Sequence, residues 1–353
     1  MKKILLSWKG FENNKIFTYN DSNNFNGPWK HLKNKLSEIN YDISTIDTSE
    51  IRDADFILFI DETSLGIPKK PKNNLRNLIK SIIKPSKSFN GKSIYDKAID
   101  AGKRSSMAIM LWEPAVIDPD NYTQELYDRF DTVLTWNDDL VDDKKFFKFL
   151  HPYQEKNNNY TEVKFEDKKM LVNISMNKYS NHTNDLYRER RSSIEYFEKN
   201  SGDQFDLFGY GWNTPKNKCE RYFPFLVKKY KNYRGTCEDK IDVLSKYKFS
   251  ICYENIKNEK GWITEKIFDC FHAKNIPIYW GASNITDYIP ENTFIDRRQF
   301  KDNQELLEFI ESITKEQYDE YLRNISLFLN SDDYKKFSPE NFAKNIINNL
   351  RLK

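Results

Sequence analysis

Charged and polar side chains that could hold an anion lie close together between residues 247 and 281. Lys266 is expected in the first turn of a helix, where a cation opposes the helix dipole. A phosphate bound at that helix N-terminus would reverse the sign of the interaction. Glu254 and Asn255 follow a predicted strand, which is where open α/β sheets place ligand contacts. Lys266 alone would fit a solvated surface lysine, but these neighbours favour an anion site.

A second cation is expected on the inward face of another helix. The spacing over 183–199 places Arg190 on one stripe with Tyr187, Ile194 and Phe197. A guanidinium on that side needs an anionic partner or must reach past the core to water. The partner is either a carboxylate of the protein or a ligand, and the pattern leaves these readings open.

A carboxylate is expected at the edge of a different strand. Glu113 follows the apolar run 106–112 and precedes Pro114. Proline disfavours helix at the residue before it, so the Glu113 side chain should stand at the carboxyl end of the strand. It is either a solvated loop residue or a general base that faces a ligand.

Two other patterns are not interpreted as catalytic sites. Asp53 and Asp55 form a D-x-D pair of a kind that binds divalent metals elsewhere, but they precede their strand instead of following it. Gly209 and Gly211 lack the third glycine of a dinucleotide-binding fingerprint. A close turn is expected there instead, and Gly211 is retained as a residue that borders the ligand cleft.

The elements that would position these residues alternate between strands and helices. Strands over 247–253 and 276–280, with a helix over 263–273 between them, form a βαβ unit and imply parallel strands. The same alternation elsewhere predicts an α/β fold. The other predicted strands are 2–8, 42–46, 54–60, 106–112, 130–136, 169–174 and 205–208, and the other predicted helices are 29–39, 75–83, 94–101, 122–130, 183–199, 237–246, 303–313, 316–329 and one that begins at 339.

The length of the chain predicts two domains, because 353 residues exceed the size that one core comfortably serves. The polar, Asn-rich stretch 151–167 has no periodicity and is the best linker. We therefore place an N-terminal domain at 1–160 and a C-terminal domain at 161–330. Residues 331–353 carry a helix that we expect to pack back on the N-terminal domain.

Composition excludes several classes of partner. Lys and Arg number 56 against 53 Asp and Glu, a net charge of +3, which gives no argument for nucleic acid. Cysteines and histidines lack metal-ligand spacing, so we expect neither a structural zinc site nor a disulfide framework. No run of ~20 apolar residues could span a membrane, and the start lacks a signal-peptide pattern. We expect a cytoplasmic protein and leave open peripheral attachment at the inner face of the membrane.

Four ordered motifs resemble the signature of the family 10 glycosyltransferases, the α-1,3/1,4-fucosyltransferases. They are Phe249-x-x-x-Tyr253-Glu254-Asn255, Gly261-Trp262-Ile263-Thr264-Glu265-Lys266-Ile267, Ile276-Pro277-Ile278-Tyr279-Trp280-Gly281 and Phe294-Ile295-Asp296. The resemblance covers residues 168–300 well and the first half of the chain only loosely. It implies the GT-B fold, in which two Rossmann-like domains face a central cleft. The N-terminal domain would hold the acceptor and the C-terminal domain the nucleotide sugar.

The resemblance also implies a reaction. It is the inverting transfer of L-fucose from GDP-fucose to a glycan hydroxyl, O3 or O4. Glu113 would be the general base, although the family's Glu-Ser-Pro reads Glu-Pro-Ala here. A helix arginine of the family contacts the donor diphosphate; Arg190 fits that position best, with Arg188 and Arg191 as alternatives.

Further donor contacts follow from the same resemblance. Glu265 would reach sugar or ribose hydroxyls and take part in catalysis, and Lys266 would reach phosphate. Trp262 stands where tyrosine is usual and would contact the nucleotide, as would Asn255. Glu254 is either a donor contact or structural. Since cationic side chains would do the work of a metal, no obligatory metal or other cofactor is expected.

Three alternatives stay open. The donor could be another GDP-sugar, because the motifs report the nucleotide better than the hexose. The chain could instead be a non-catalytic protein that binds nucleotide sugars or glycans on the same fold. A metal-dependent GT-A enzyme is the third, and it predicts that a chelator abolishes activity.

Overall fold

The computed structural model describes residues 1–19, 25–68, 91–155, 160, 163–215 and 218–352. Their strands form two parallel sheets, one in each half of the chain. This agrees with the predicted α/β fold. The helix predicted over 75–83 lies outside the described residues.

The N-terminal sheet has the strand order β2-β1-β3-β4-β5-β6, with every described pair parallel. Its strands are β1 (Lys2–Ser7), β2 (Tyr41–Thr45), β3 (Phe56–Ile60), β4 (Met107–Leu111), β5 (Val133–Thr135) and β6 (Phe146–Lys148). All five residues of β4 are buried. Apolar clusters cover both faces of the sheet, which explains why its central strands are continuous apolar runs.

The C-terminal sheet has the order β11-β10-β9-β7-β8 and is also parallel. Its strands are β7 (Lys169–Ile174), β8 (Phe205–Phe208), β9 (Tyr247–Tyr253), β10 (Ile276–Trp280) and β11 (Ile295–Asp296). Two further apolar clusters cover its faces. The predicted βαβ unit lies at the centre of this sheet.

Helices connect the strands and cover the sheets. They are α1 (Lys15–Thr18), α2 (Gly27–Glu38), α3 (Ile94–Asp100), α4 (Gln124–Asp128), α5 (Tyr187–Asn200), α6 (Lys218–Tyr222), α7 (Lys240–Ser245), α8 (Glu265–His272), α9 (Asn303–Ser312), α10 (Lys315–Leu329), α11 (Asp332–Lys335) and α12 (Pro339–Asn349). In the part of the chain that the structure describes, no helix has the length and apolarity needed to cross a membrane.

Two helix starts differ from the prediction by three residues or more. Helix α5 begins at Tyr187 instead of 183, because Asp185 forms a β-bridge with Ile256 and the Leu186 amide donates to the carbonyl of Asn255 at 3.1 Å. Helix α7 begins three residues later than predicted, because Asp239 caps it. Side-chain caps and tertiary pairing therefore shorten both helices.

The last helix, α12, packs against α2 and so returns to the N-terminal domain. Phe342 and Ile346 of α12 are buried in the cluster that covers one face of the N-terminal sheet. The Phe342 ring lies 5.3 Å from Trp29 and 6.2 Å from Trp112, both edge-on. The chain segments that precede and follow the C-terminal domain thus build one core together.

Phe342→Ala should destabilise the protein by about 3–5 kcal/mol, because it leaves a cavity among buried aromatic rings. The measurement is the denaturant midpoint followed by tryptophan fluorescence. Leu327→Ala is the control, since Leu327 is 72% exposed and its change should stay within about 0.5 kcal/mol. Equal midpoints for the two variants would show that α12 does not contribute to the core.

Candidate active site

A cavity of about 640 Å³ lies between the carboxyl edges of the two sheets. Trp112 and Glu113 line it from just beyond β4. Ser175, Gly209 and Asn255 line it from beyond β7, β8 and β9. Because parallel strands end at the same edge of a sheet, residues far apart in sequence meet here.

The carboxylate of Glu254 organises the start of α8. Glu254 is fully buried, and its oxygens accept hydrogen bonds from the Thr264 amide at 3.0 Å, the Thr264 hydroxyl at 2.8 Å and Lys266 Nζ at 2.7 Å. Burial would lower the pKa of Lys266, but the carboxylates of Glu254 and Glu265 outweigh it and the pKa is raised. Lys266 is therefore a fixed cation in the cavity wall.

Arg190 is the second cation in the wall. Its side chain is buried, and Nη2 donates to the carbonyls of Tyr253 at 2.6 Å and Glu254 at 2.9 Å. These partners are carbonyl oxygens and not the carboxylate that the sequence left open. The side chain of Arg188 is 75% exposed and Arg191 stacks on a tyrosine ring; of the three arginines only Arg190 lines the cavity.

Glu113 is held at the end of β4 through its backbone. The buried Oδ1 of Asp61 accepts hydrogen bonds from the amides of Trp112 at 2.6 Å and Glu113 at 3.0 Å, and from Asn121 Nδ2 at 2.6 Å. The hydroxyl of Tyr122 donates to the Glu113 carbonyl at 3.0 Å. The direction of the Glu113 side chain is thus fixed by a neighbouring strand.

The electrostatics of Glu113 come from both domains. Burial raises the pKa of the Glu113 carboxyl, and the cations of Lys178 and Lys266 partly offset that rise. Both lysines belong to the C-terminal half and line the same cavity. Glu113 is therefore a stronger base than an exposed glutamate and lies within the field of the cation site.

Three further predicted residues also line the cavity. Glu265 is exposed at the start of α8, and Asn255 is half-buried beyond β9. Trp262 is buried, with its ring edge-on to Trp136 at 4.7 Å and to His151 at 4.8 Å. Trp262 thus contacts the N-terminal domain as well as the cavity.

Two residues predicted to bind the donor are not part of the cavity wall. The carboxylate of Glu254 is enclosed by Thr264 and Lys266, so it acts through them. Gly211 lies further along the turn, where its carbonyl accepts from Asn177 at 3.1 Å. Gly209 lines the cavity instead. It has φ +123°, and a Cβ there would overlap the carbonyl of Ser175, so the turn requires glycine.

Three lysine and histidine residues of the cavity were not anticipated. Lys178 lies in an irregular segment, where no periodicity marks it. His151 falls in the predicted linker, and burial lowers its pKa to about 3, so the imidazole is neutral. Lys240 forms a 2.8 Å ion pair with buried Asp269. The one indication of Lys178 in the sequence is that this basic residue closely follows a predicted strand.

The two domains are joined beside the cavity. Asp138 accepts hydrogen bonds from Asn284 Nδ2 at 2.9 Å and from the Tyr288 hydroxyl at 2.7 Å. Burial would raise the pKa of Asp138, but hydrogen bonds from Lys148, Asn284 and Tyr288 outweigh it and lower the pKa. A Cβ on Gly261 would overlap a backbone oxygen of the N-terminal domain. The loop that carries Trp262 is therefore in close contact with the opposite domain.

Carboxylates also cluster in the segments that follow β3 and β4. Oxygens of Glu62, Asp118 and Asp120 lie within 4.8 Å of one another, whereas Asp53 and Asp55 precede β3, as the sequence predicted. Acidic groups of this kind are common without a metal, and the three residues carry no argument for one.

Comparison with known proteins agrees with this geometry. Residues 166–328 match the family model described as glycosyltransferase family 10 (fucosyltransferase) C-term. An alpha-(1,3)-fucosyltransferase, FucT, of Helicobacter pylori is 36% identical over 73 residues, which are 21% of this chain and 15% of that protein. An alpha-(1,4)-fucosyltransferase of Arabidopsis thaliana is 37% identical over 70 residues, 20% of this chain and 17% of that protein. The chain thus covers less than a fifth of these relatives' own length.

A solved alpha1,3-fucosyltransferase with GDP has a similar fold. The TM-score is 0.57 at 16% identity, over 99% of this chain and 90% of that one. Two parallel α/β domains with a cleft between their carboxyl edges define the GT-B class of glycosyltransferase folds. The C-terminal domain is thus similar to glycosyltransferase family 10.

The environment of Asp61 gives a testable pH dependence. Burial raises the pKa of Asp61 from 3.8 to about 8, so the fold favours the protonated acid. The stability that the protonated Asp61 contributes is fully present below pH ~4 and is lost as the pH rises through about 8. Asp61→Asn mimics the protonated acid, so the variant should overtake the wild type in stability as the pH rises through that window.

The measurement is the denaturant midpoint of both proteins at a series of pH values. Asp61→Ala is the comparison, because it leaves the amides of Trp112 and Glu113 without their acceptor. Each buried amide left without a partner should lower the free energy of unfolding by about 1–3 kcal/mol. A constant difference between wild type and Asp61→Asn at all pH values would contradict the assigned protonation.

Proposed function

We propose that the chain transfers L-fucose from GDP-fucose to a hydroxyl of a glycan acceptor, O3 or O4, with inversion. One observation carries the proposal: the cavity brings Glu113 of the N-terminal domain opposite Arg190 and Lys266 of the C-terminal domain. A base on one side and a fixed pair of cations on the other suit attack on a sugar whose leaving group is a diphosphate. The family match and the similar fold support the same assignment.

The donor diphosphate would bind between Arg190, Lys266 and the N-terminus of α8. Both hydrogen bonds of Arg190 described above use Nη2, and a guanidinium has five N–H donors, so donors remain for a ligand. Lys266 is charged and held by Glu254 before any ligand arrives. Glu265 would bind hydroxyls of the sugar or ribose, while Trp262 and Asn255 would contact the nucleotide.

The chemical step needs few groups. Glu113 would take the proton from the acceptor hydroxyl as its oxygen bonds to C1 of fucose. The bond between C1 and the phosphate oxygen breaks on the opposite face, and GDP leaves with the bonding electron pair. Arg190 and Lys266 would stabilise the charge that develops on the diphosphate. With these two cations in place, we propose that no obligatory metal or other cofactor is needed.

The acceptor would approach from the N-terminal domain. Phe25 and Trp112 line the cavity beside Glu113, and Phe25 is 40% exposed. Its ring lies 6.0 Å from Trp112, 5.9 Å from Phe11 and 5.8 Å from Trp8. Such an aromatic surface suits the apolar face of a sugar ring.

The cytoplasmic location expected from the sequence stays a prediction.

The function is tested by a donor panel. GDP-fucose, GDP-mannose and related GDP-sugars are incubated with mixed glycan acceptors, with and without chelator, and GDP release is measured. Acceptor-dependent release from GDP-fucose that withstands the chelator is expected. Release from a different GDP-sugar would reassign the donor, and GDP binding without turnover of any donor would indicate a binding protein. Loss of activity with chelator would indicate a required metal.

Glu113→Gln should lower kcat by about 10²–10⁴-fold and leave the affinity for GDP-fucose unchanged, because the amide keeps the size of the side chain but cannot take a proton. In the wild type, the raised pKa of Glu113 should move the acid limb of the kcat/KM profile above the range of an exposed glutamate. Steady-state kinetics and donor titration measure both quantities. Exposed Glu50→Gln is the control, and near wild-type turnover of Glu113→Gln would exclude this base.

Arg190→Lys should raise the KM for GDP-fucose about 10- to 100-fold, since lysine cannot hold the two carbonyls and a phosphate at once. Arg188→Lys and Arg191→Lys are matched controls from the same helix and should change KM less than about threefold, because neither side chain reaches the cavity. The measurement is initial rate against donor concentration. A larger effect from either control would assign the diphosphate contact to that arginine.

A further inference from the structure

An exposed apolar patch lies far along the chain from the cavity residues of α8. It consists of Tyr222, Phe223, Phe225 and Leu226, which are 77%, 49%, 81% and 53% exposed. We call it the 222–226 patch. Other large apolar side chains that are exposed in the described part of the chain are mostly isolated in sequence. A concentration of four within five residues is typical of an interaction surface.

The patch projects from an anchored base. After it, Val227 and Tyr230 are buried, and the Tyr230 ring packs edge-on against Trp212 at 5.3 Å. Lys228 forms a 2.5 Å ion pair with Glu195 of α5. The following residues pair with β8 through the hydrogen bond from the Leu207 amide to the Asn232 carbonyl at 2.9 Å. The patch is therefore a projecting turn at the edge strand of the C-terminal sheet.

Basic residues flank the patch on both sides. Arg221 directly precedes it, and Lys228, Lys229 and Lys231 follow within five residues of its end. Glu220 is the one acidic residue between 218 and 231. Lys228 pairs with Glu195, and Glu198 accepts a hydrogen bond from the Lys231 amide. The five basic residues between 218 and 231 still exceed the three nearby carboxylates, Glu195, Glu198 and Glu220, by two. The charge complement of this surface is anionic.

We propose that the 222–226 patch docks the protein on an anionic lipid surface. Aromatic side chains favour the level of the lipid headgroups, and neighbouring Arg and Lys side chains are attracted by anionic lipids. A stable protein partner would need about 20–30 residues on each side, whereas this patch offers four exposed apolar side chains. Its side chains are more exposed than those of a groove that receives a partner chain.

The proposal is independent of the proposed function. None of the four patch residues lines the cavity, so loss of docking leaves transfer to a water-soluble acceptor unchanged. Failure of the fucosyl-transfer assay would likewise say nothing about lipid binding. The two proposals can therefore fail separately.

The test is co-sedimentation of the full chain with vesicles of phosphatidylcholine that contain phosphatidylglycerol, against vesicles of phosphatidylcholine alone. We expect binding to the anionic vesicles that weakens with added salt. Phe225→Ser should reduce that binding about tenfold or more, because it removes a large apolar side chain from the contact. Arg221→Gln should reduce it about fivefold.

Leu327→Ser is the matched control, because Leu327 is 72% exposed on α10 and stands outside the patch; its binding should equal that of the wild type. Circular dichroism verifies that each variant is folded. Absence of wild-type binding, or equal binding by Phe225→Ser, would overturn the proposal. Self-association of the wild type in light scattering that Phe225→Ser abolishes would assign the patch to a contact between copies, which also overturns it.

Discussion

The cavity depends on the hydrogen bonds and the ion pair made by the buried residue Glu254. Its carboxylate holds Lys266 and Thr264, and its main-chain carbonyl accepts from Arg190. Both cations are thus fixed by one position at the end of β9. An ion pair taken out of water is costly unless its other hydrogen bonds are satisfied, and here the Thr264 amide and hydroxyl supply them. The positive charge is therefore in place before a ligand enters, which is the condition for electrostatic preorganisation.

The N-terminal domain uses a buried acid in a related way. Asp61, directly after β3, orients the backbone at the end of β4 and so directs Glu113. In each domain a buried carboxyl at a strand end supports a side chain of the cavity wall on a neighbouring element. The difference lies in charge. Glu254 is paired with a cation, whereas Asp61 has amide donors and a pKa raised to about 8 by burial.

The fold was largely predictable because its signals are local. Continuous apolar runs such as Phe56–Ile60 and Met107–Leu111 mark buried parallel strands, and the stripe of α12 marks its packed face. The short strands β6 and β11 were not predicted, since two or three residues carry no periodicity. The start of α5 was wrong because pairing between Asp185 and Ile256 overrides helix propensity, and that contact is invisible in sequence.

The candidate site was predictable only where its residues lie in ordered motifs. Lys266, Glu265 and Asn255 stand at fixed offsets from β9 and α8, and all three line the cavity. The role of Glu254 in enclosing Lys266 depends on side-chain direction, which spacing does not report. Lys178 and His151 enter from irregular segments, so only the folded chain brings them to Glu113. Gly209 and Gly211 were indistinguishable until the turn placed one against Ser175.

The return of α12 to the N-terminal domain has a consequence for synthesis. Residues 1–148 leave the ribosome with all six strands of their sheet, but without Phe342, Ala343 and Ile346, which complete one of its faces. Domains usually fold in order as they emerge. Here one apolar face of the first domain, next to Trp29, stays uncovered until the second domain has been synthesised. Transiently exposed apolar surface favours aggregation, so we expect the completion of the first domain to depend on the synthesis of the last helix.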